Sequence, residues 1–183
     1  MLNQVDGERG GKALRDRSGI TLVPYVEING QRTLSDEAIM ALWEQMIYEG
    51  TAHVVFNTSV KTADDFLRLF KSPNVFPVVA GVDGIAMGMA WLTDVGQNYA
   101  SGHFCMFNAS WGALSYEVGN EIIKYWFSLQ KEGKPMLDVV IGKVPETNRK
   151  ALKYIERLGF NIIGTIPFIS SGKGLVISYK TRV

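Results

Sequence analysis

The stretch that most constrains this chain is Val144–Phe160, VPETNRKALKYIERLGF. An apolar run, MLDVVIGKV from Met136 to Val144, leads into it, and another, Asn161–Pro167, follows it. Thr147 or Asn148 can cap a helix by accepting a bond from a backbone N–H that has no acceptor inside the helix. Ala151, Leu152, Ile155 and Leu158 then share one helical face, and Gly159 stands where a left-handed C-terminal residue is wanted. The spacing predicts strand, short loop, helix, glycine stop, strand.

The other elements follow from the same kinds of signal. Residues 1–19 are polar and aperiodic, which predicts a mobile arm. Ile20–Ile28 reads as a first strand, with Pro24 favouring an edge or a bulge and Asn29-Gly30 as the turn after it. Ser35 caps a helix running to Tyr48, with Ile39, Leu42, Trp43, Met46 and Ile47 as its apolar stripe and Gly50 at its end. Thr62 caps a shorter helix with Phe66, Leu67 and Phe70 inward, stopped by Ser72-Pro73-Asn74. His53–Phe56, between these helices, is an apolar patch with no assigned state. Phe76–Val82 and Ile85–Val95 flank Asp83-Gly84, a hairpin signal because both turn residues tolerate positive φ.

After the turn Gly96-Gln97-Asn98, Tyr99–Phe107 is a third strand of this section. A loop, Asn108–Leu114, precedes a helix from Ser115 to Lys131, with Val118, Ile122, Ile123, Trp126 and Phe127 on one face and Gly133-Lys134-Pro135 ending it. The run from Met136 is almost continuously apolar, as a buried parallel strand would be. Leu175–Thr181 is the last strand, reached through Ser170-Ser171-Gly172-Lys173-Gly174. The predicted order is β-α-α-β-β-β-α-β-α-β-β, with residues 20–183 as one domain and no internal repeat.

Composition excludes several functions. A formal net charge of +1 gives no general attraction to nucleic acid or to an anionic membrane. The single cysteine, Cys105, forbids an internal disulfide and any Cys-rich zinc cluster. There is no P-loop, dinucleotide glycine fingerprint, HExxH or calcium loop. Neither a signal peptide nor an apolar run of about 18 residues is present, so a soluble cytoplasmic domain is expected. Asn57-Thr58-Ser59 and Asn108-Ala109-Ser110 match the glycosylation pattern and are read as chance.

Asn148 and Ala151, followed at fixed spacing by Leu158-Gly159-Phe160 and then Gly164, resemble the C-terminal motif of the GNAT superfamily of N-acetyltransferases. The predicted element order over residues 20–181 is similar to that family as well. The resemblance implies an α/β fold with a mixed central sheet flanked by helices. It also implies acetyl-CoA as co-substrate, a primary amine as acceptor, and direct transfer without a covalent enzyme intermediate or a metal. By the same resemblance, the backbone of Met106, Phe107 and Asn108 lies along the pantetheine arm. Trp111, Gly112, Ala113, Leu114 and Ser115 bind the pyrophosphate, and Asn148 contacts the cofactor. An ordinary loop before a core helix, and a pure helix cap at Asn148, read the same way in sequence.

Two departures bear on catalysis. The loop, NASWGALSYE, has one glycine where the family commonly has two, and its Trp111-Gly112 is similar to the branch that includes ribosomal-protein N-acetyltransferases. Many members carry a tyrosine seven residues after the helix asparagine; here that residue is Ile155, and Tyr154 is about 100° round the helix from it. His103 is the candidate general base because its ordinary pKa suits the task, with Asp94 and Glu117 as carboxylate alternatives. Cys105 shares its strand face and reads as a buried structural thiol. Arg149, Lys150, Lys153 and Arg157 read as the solvated face of the last helix, and Trp43, Tyr48 and Trp91 as core. The expectation is an N-acetyltransferase acting on an amine of a small molecule or protein, with a homodimer allowed. Its alternative is an inactive module of the same fold that senses CoA or binds a protein.

Overall fold

The structure is a computed structural model and describes residues 14–15, 19–56, 60–167 and 173–182. The chain divides into two compact units, residues 1–91 with 104–118, and residues 92–103 with 119–183. The predicted arm, apart from Leu14, Arg15 and Gly19, lies outside the described residues, as do Asn57-Thr58-Ser59 and Ser170-Ser171-Gly172.

In the first unit β1 (Leu14–Arg15) pairs with β2 (Ile20–Pro24), which stops at the proline rather than at Ile28. Glu27–Ile28 (β3) instead turns back through Asn29 (φ 51) and Gly30 (φ 77) onto β4 (Gln31–Arg32). Helix α1 (Asp36–Tyr48) is capped by Ser35, whose side chain accepts from Ala38 N–H. It buries Ile39, Leu42, Trp43 and Met46. Ile47, expected inward, is 56% exposed because it lies about 90° from the centre of that stripe. The apolar patch is a short helix, α2 (Ala52–Phe56).

Helix α3 (Ala63–Phe70) begins in a full capping box between Thr62 and Asp65. The hairpin of β5 (Phe76–Val82) and β6 (Ile85–Thr93) turns at Asp83 (φ 50) and Gly84 (φ 81), as the sequence predicts. One apolar cluster joins Ile39, Trp43, Met46, Phe56, Phe66 and Phe70 of the helices to Val79, Met89, Trp91, Cys105 and Phe107. Phe56 stacks on Trp91 at 5.3 Å and Phe66 lies 5.5 Å from Trp43. Such pairs add directionality to a core held mainly by apolar burial.

Strand β7 (Tyr99–Met106) and helix α4 (Ala113–Ser128) contribute residues to both units. The helix stops at Ser128, three residues before the expected end. Beyond it, β8 (Gln130–Lys131) and β9 (Lys134–Pro135) form a small hairpin through Glu132 (φ 52) and Gly133 (φ 72). Strand β10 (Val139–Pro145) therefore starts later than Met136, whose N–H is held by Leu129 O. Helix α5 (Arg149–Arg157) follows, then β11 (Asn161–Pro167) and β12 (Gly174–Thr181). Asn148, not Thr147, is the cap of α5: its Oδ1 accepts from Ala151 N–H at 3.1 Å.

The sheet order is β1-β2-β5-β6-β7-β10-β12-β11. Strand β10 is parallel to β7, as its apolar run predicts, and antiparallel to β12, which pairs in turn with β11. A parallel pair needs a crossover, and α4 supplies it. The parallel ladder pairs Tyr99–Ser101 with Val139–Ile141, and β12 follows β10 along its full length to Pro145. In the second unit three glycines set the packing distances. A Cβ at Gly102 would stand 2.7 Å from Val140 Cγ1 and 3.0 Å from Trp126, and one at Gly142 would stand 2.6 Å from Ser178 Oγ. One at Gly119 would stand 2.2 Å from Tyr154 Oη, so α5 lies close on the α4 backbone there.

Candidate functional site

The end of β7 and the start of α4 lie together in the first unit. Phe107, fully buried, donates its N–H to Met87 O at 3.0 Å and fixes the strand end, with Met106 half-buried before it. Asn108–Ser110 is a single 3-10 turn, tied inward by Ser110, whose Oγ donates to Phe107 O at 2.8 Å. Trp111 N–H then donates to Asn108 O at 3.1 Å, leaving the indole 58% exposed.

Gly112 turns the chain into the helix at φ +101. A Cβ there would meet nothing within 4 Å, so it is the backbone conformation and not crowding that requires glycine. Ser115, buried, folds its Oγ back onto Gly112 O at 2.8 Å. The surface left outside is Asn108, Ala109, Trp111, Gly112 and Ala113, with Leu114 half-buried. No acidic side chain stands in the first turn of α4. The first N–H groups of a helix have no carbonyl inside it and carry partial positive charge. This turn can therefore hold an anion.

The same region contains a residue that sequence reasoning missed. Glu49, the residue that closes α1, directs Oε2 at the Asn108 N–H, 2.9 Å away, and Oε1 at Gln45 Nε2, 3.1 Å away. Two residues on, Thr51 Oγ1 receives Cys105 Sγ–H at 3.8 Å. Burial pushes the Cys105 thiol up to about 12, with the Thr51 bond working weakly against it. The thiol is therefore a packed, unionised group, as its sequence position suggests. Trp43 and Trp91 are core, but Tyr48, expected with them, is 91% exposed on the last turn of α1.

In the second unit His103 is half-buried, with Nε2 2.9 Å from Thr93 Oγ1. Burial holds its pKa below the ordinary value, the Lys143 ammonium acts in the same direction, and Asp94 opposes both. Asp94 accepts from Ser101 Oγ at 2.9 Å and from Lys143 Nζ at 3.3 Å, bonds that hold its carboxyl below the usual range. Asp94 is thus already matched by a cation, and Glu117 is a solvated helix residue. Asn148 serves as the α5 cap, and Ile155 is buried. Arg149, Lys150, Lys153 and Arg157 lie on the exposed face of α5. Among the described residues no three His, Cys, Asp or Glu side chains converge as a metal site, and no helix is long and apolar enough to cross a membrane.

Neither a protein-family model nor a curated protein matches the sequence. Solved structures do match. A spermidine N-acetyltransferase from Vibrio cholerae, in complex with CoA and spermine, is 15% identical, with a TM-score of 0.69 over 90% of this chain and 96% of that one. The aminoglycoside acetyltransferase AAC(6')-Ib, in complex with coenzyme A, is 16% identical, with a TM-score of 0.66 over 89% of this chain and 95% of that one. The Campylobacter jejuni N-acetyltransferase PseH is 18% identical, with a TM-score of 0.58 over 90% and 99%.

The chain has the GNAT fold. At these identities the likeness is one of fold, and the residues that could act are those of this chain. The predicted loop is a strand–glycine–helix turn whose helix starts at Ala113, two residues before the expected Ser115, and the last helix carries its cap at Asn148. Glu49 had no signal in the sequence, because its partner, Asn108, is 59 residues away.

Proposed function

We propose that the protein is an acetyl-CoA-dependent N-acetyltransferase that transfers acetyl to a primary amine by direct attack. The observation that carries this reading is the exposed turn at Gly112, which opens onto a 16-residue helix whose first turn has no acidic side chain. Pyrophosphate needs such a place: several backbone N–H donors at the positive end of a helix, with no side chain in the way. The solved structures of like fold that hold CoA or act on amines support the reading by analogy of fold.

In this reading Trp111, Gly112, Ala113, Leu114 and Ser115 hold the pyrophosphate. Met106, Phe107 and Asn108 line the pantetheine arm, and Asn148 adds a polar contact beside its role as cap. Acetyl-CoA supplies the activated acyl group. His103, kept neutral by its surroundings, takes the proton of the attacking amine as the N–C bond forms and the C–S bond breaks. The thiolate takes its proton from water, since Ile155 has none to give. Holding the two reactants together supplies much of the acceleration. The absent tyrosine and the Trp111-Gly112 pair fit the ribosomal-protein-type branch. Residues 20–183 act as one cytoplasmic domain with 1–19 as an arm, and a homodimer is compatible with this.

The test is calorimetric titration of wild type with acetyl-CoA and with desulfo-CoA, followed by thiol release with an amine panel. Micromolar binding is expected, and Gly112→Val should weaken it while the variant is still folded at the assay temperature. No binding of either ligand at millimolar concentration would leave the inactive, protein-binding module as the better reading.

A further inference from the structure

We propose that Glu49 holds a cationic nitrogen of the acceptor beside the end of β7, which makes the acceptor a di- or polyamine, or a molecule with a second ammonium near the reacting amine. The inference deepens the acetyl-transfer reading and rests on it for the word acceptor; the carboxylate site itself rests on geometry.

Glu49 is placed by several bonds. Its backbone N–H closes α1 on Gln45 O at 2.9 Å, and Thr51 N–H returns to Met46 O at 2.9 Å. Its side chain spans 59 residues to the Asn108 amide. That amide ends the very strand segment assigned to the pantetheine arm. Both side-chain partners, Gln45 Nε2 and Asn108 N–H, are neutral donors. They occupy one site on each carboxylate oxygen, and an ionised carboxylate has about four such sites. Room for further donors therefore remains on a half-buried, negatively charged group.

Five other carboxylates are matched by cations, whereas Glu27 and Glu37, like Glu49, have neutral partners. Asp36 has Arg32 and Lys71, Asp65 has Arg68, Asp94 has Lys143, Glu121 has Lys124 and Asp138 has Arg182. Among the described residues no Lys or Arg is within ion-pair distance of Glu49. A carboxylate with two neutral hydrogen bonds and no counter-ion is an attractive place for an ammonium, which completes the charge and donates N–H bonds. The two segments that Glu49 ties together also each carry an exposed aromatic ring, Tyr48 at 91% and Trp111 at 58%. A cation lying within about 6 Å of a ring face would gain a further attraction from it.

The test is calorimetric titration with diaminobutane, and with butanediol as its uncharged counterpart, on wild type, Glu49→Gln and Tyr48→Lys. Each protein is also titrated with acetyl-CoA and melted. Glu49→Gln keeps an acceptor for the Asn108 amide and removes only the charge. The expected result is diamine binding to wild type without diol binding, weakened about tenfold or more in Glu49→Gln. Melting temperature and acetyl-CoA affinity should be unchanged. Tyr48→Lys adds a competing ammonium at an exposed position and should also weaken the diamine, which keeps the test decisive if Glu49→Gln folds poorly. Equal diamine affinity in wild type and in a folded variant overturns the proposal, as does wild type that ignores the diamine. A wild type that binds diamine but no acetyl-CoA would instead sink the acetyl-transfer reading and leave the cation site standing.

Discussion

His103 shows how much a single residue depends on its surroundings. Its ring is half-buried against Thr93, and burial, with the Lys143 ammonium, holds its pKa below 6.5 against the weaker pull of Asp94. The folded chain therefore binds this proton less readily than the unfolded one. The resulting stability is present above the ordinary imidazole value and is lost as pH falls through the lower, folded value. His103→Asn should flatten the fall of melting temperature on the acid side of neutrality. If His103 is the base, wild-type kcat/KM rises through that same depressed pKa. The variant should then lose both this limb and a factor of roughly 10²–10⁴ in rate. An unchanged pH profile would remove His103 from the chemistry and leave it a packed strand residue.

At the scale of elements, the contact between α4 and α5 turns on one atom that is not there. A Cβ on Gly119 would stand 2.2 Å from Tyr154 Oη and 2.9 Å from Leu158 Cδ2. Gly119→Ala should gain helix propensity and still destabilise, because overpacking of this kind costs about 1–3 kcal/mol. Removing the Tyr154 hydroxyl opens space at the closest point of approach. Tyr154→Phe in the Gly119→Ala background should therefore recover part of the loss, read as a coupling in denaturant unfolding. Strict additivity of the two changes would mean that the clash is relieved elsewhere. The same contact directs the Tyr154 hydroxyl at the α4 backbone by Gly119.

For the whole molecule the proposed ligand predicts a linkage. Acetyl-CoA at about a hundred times its dissociation constant stabilises the folded state by about 2.7 kcal/mol, which for a chain of this size raises Tm by roughly 5–10 °C. A thermal melt with and without the ligand checks this before any acceptor is known. A folded protein whose Tm stays fixed at millimolar acetyl-CoA would contradict the site at the start of α4.

What could be read from the linear chain was whatever depends on near neighbours. Ser35 and Thr62 cap their helices, Asn29-Gly30 and Asp83-Gly84 make their turns, and Asn148 with Gly159 bounds the last helix. In each case the hydrogen bonds or φ angles involved lie within a few residues. The Glu132-Gly133 hairpin was missed because glutamate at φ 52 is an uncommon first turn residue, and the preceding helical period ran on past Ser128 without a break. Ile47 and Tyr48 were misread because apolar spacing marks a face but not how wide that face is covered. Sequence determined the long helices and strands, many of their ends, and the glycine turn at Gly112, but not α2, β1, the β3–β4 pair or the β8–β9 hairpin. Tertiary structure decided that β12 lies between β10 and β11, that Lys143 meets Asp94 across 49 residues, and that Glu49 meets Asn108 across 59. Those contacts exist only after distant segments are brought together by apolar burial, which acts without direction and leaves no local mark on the residues it unites.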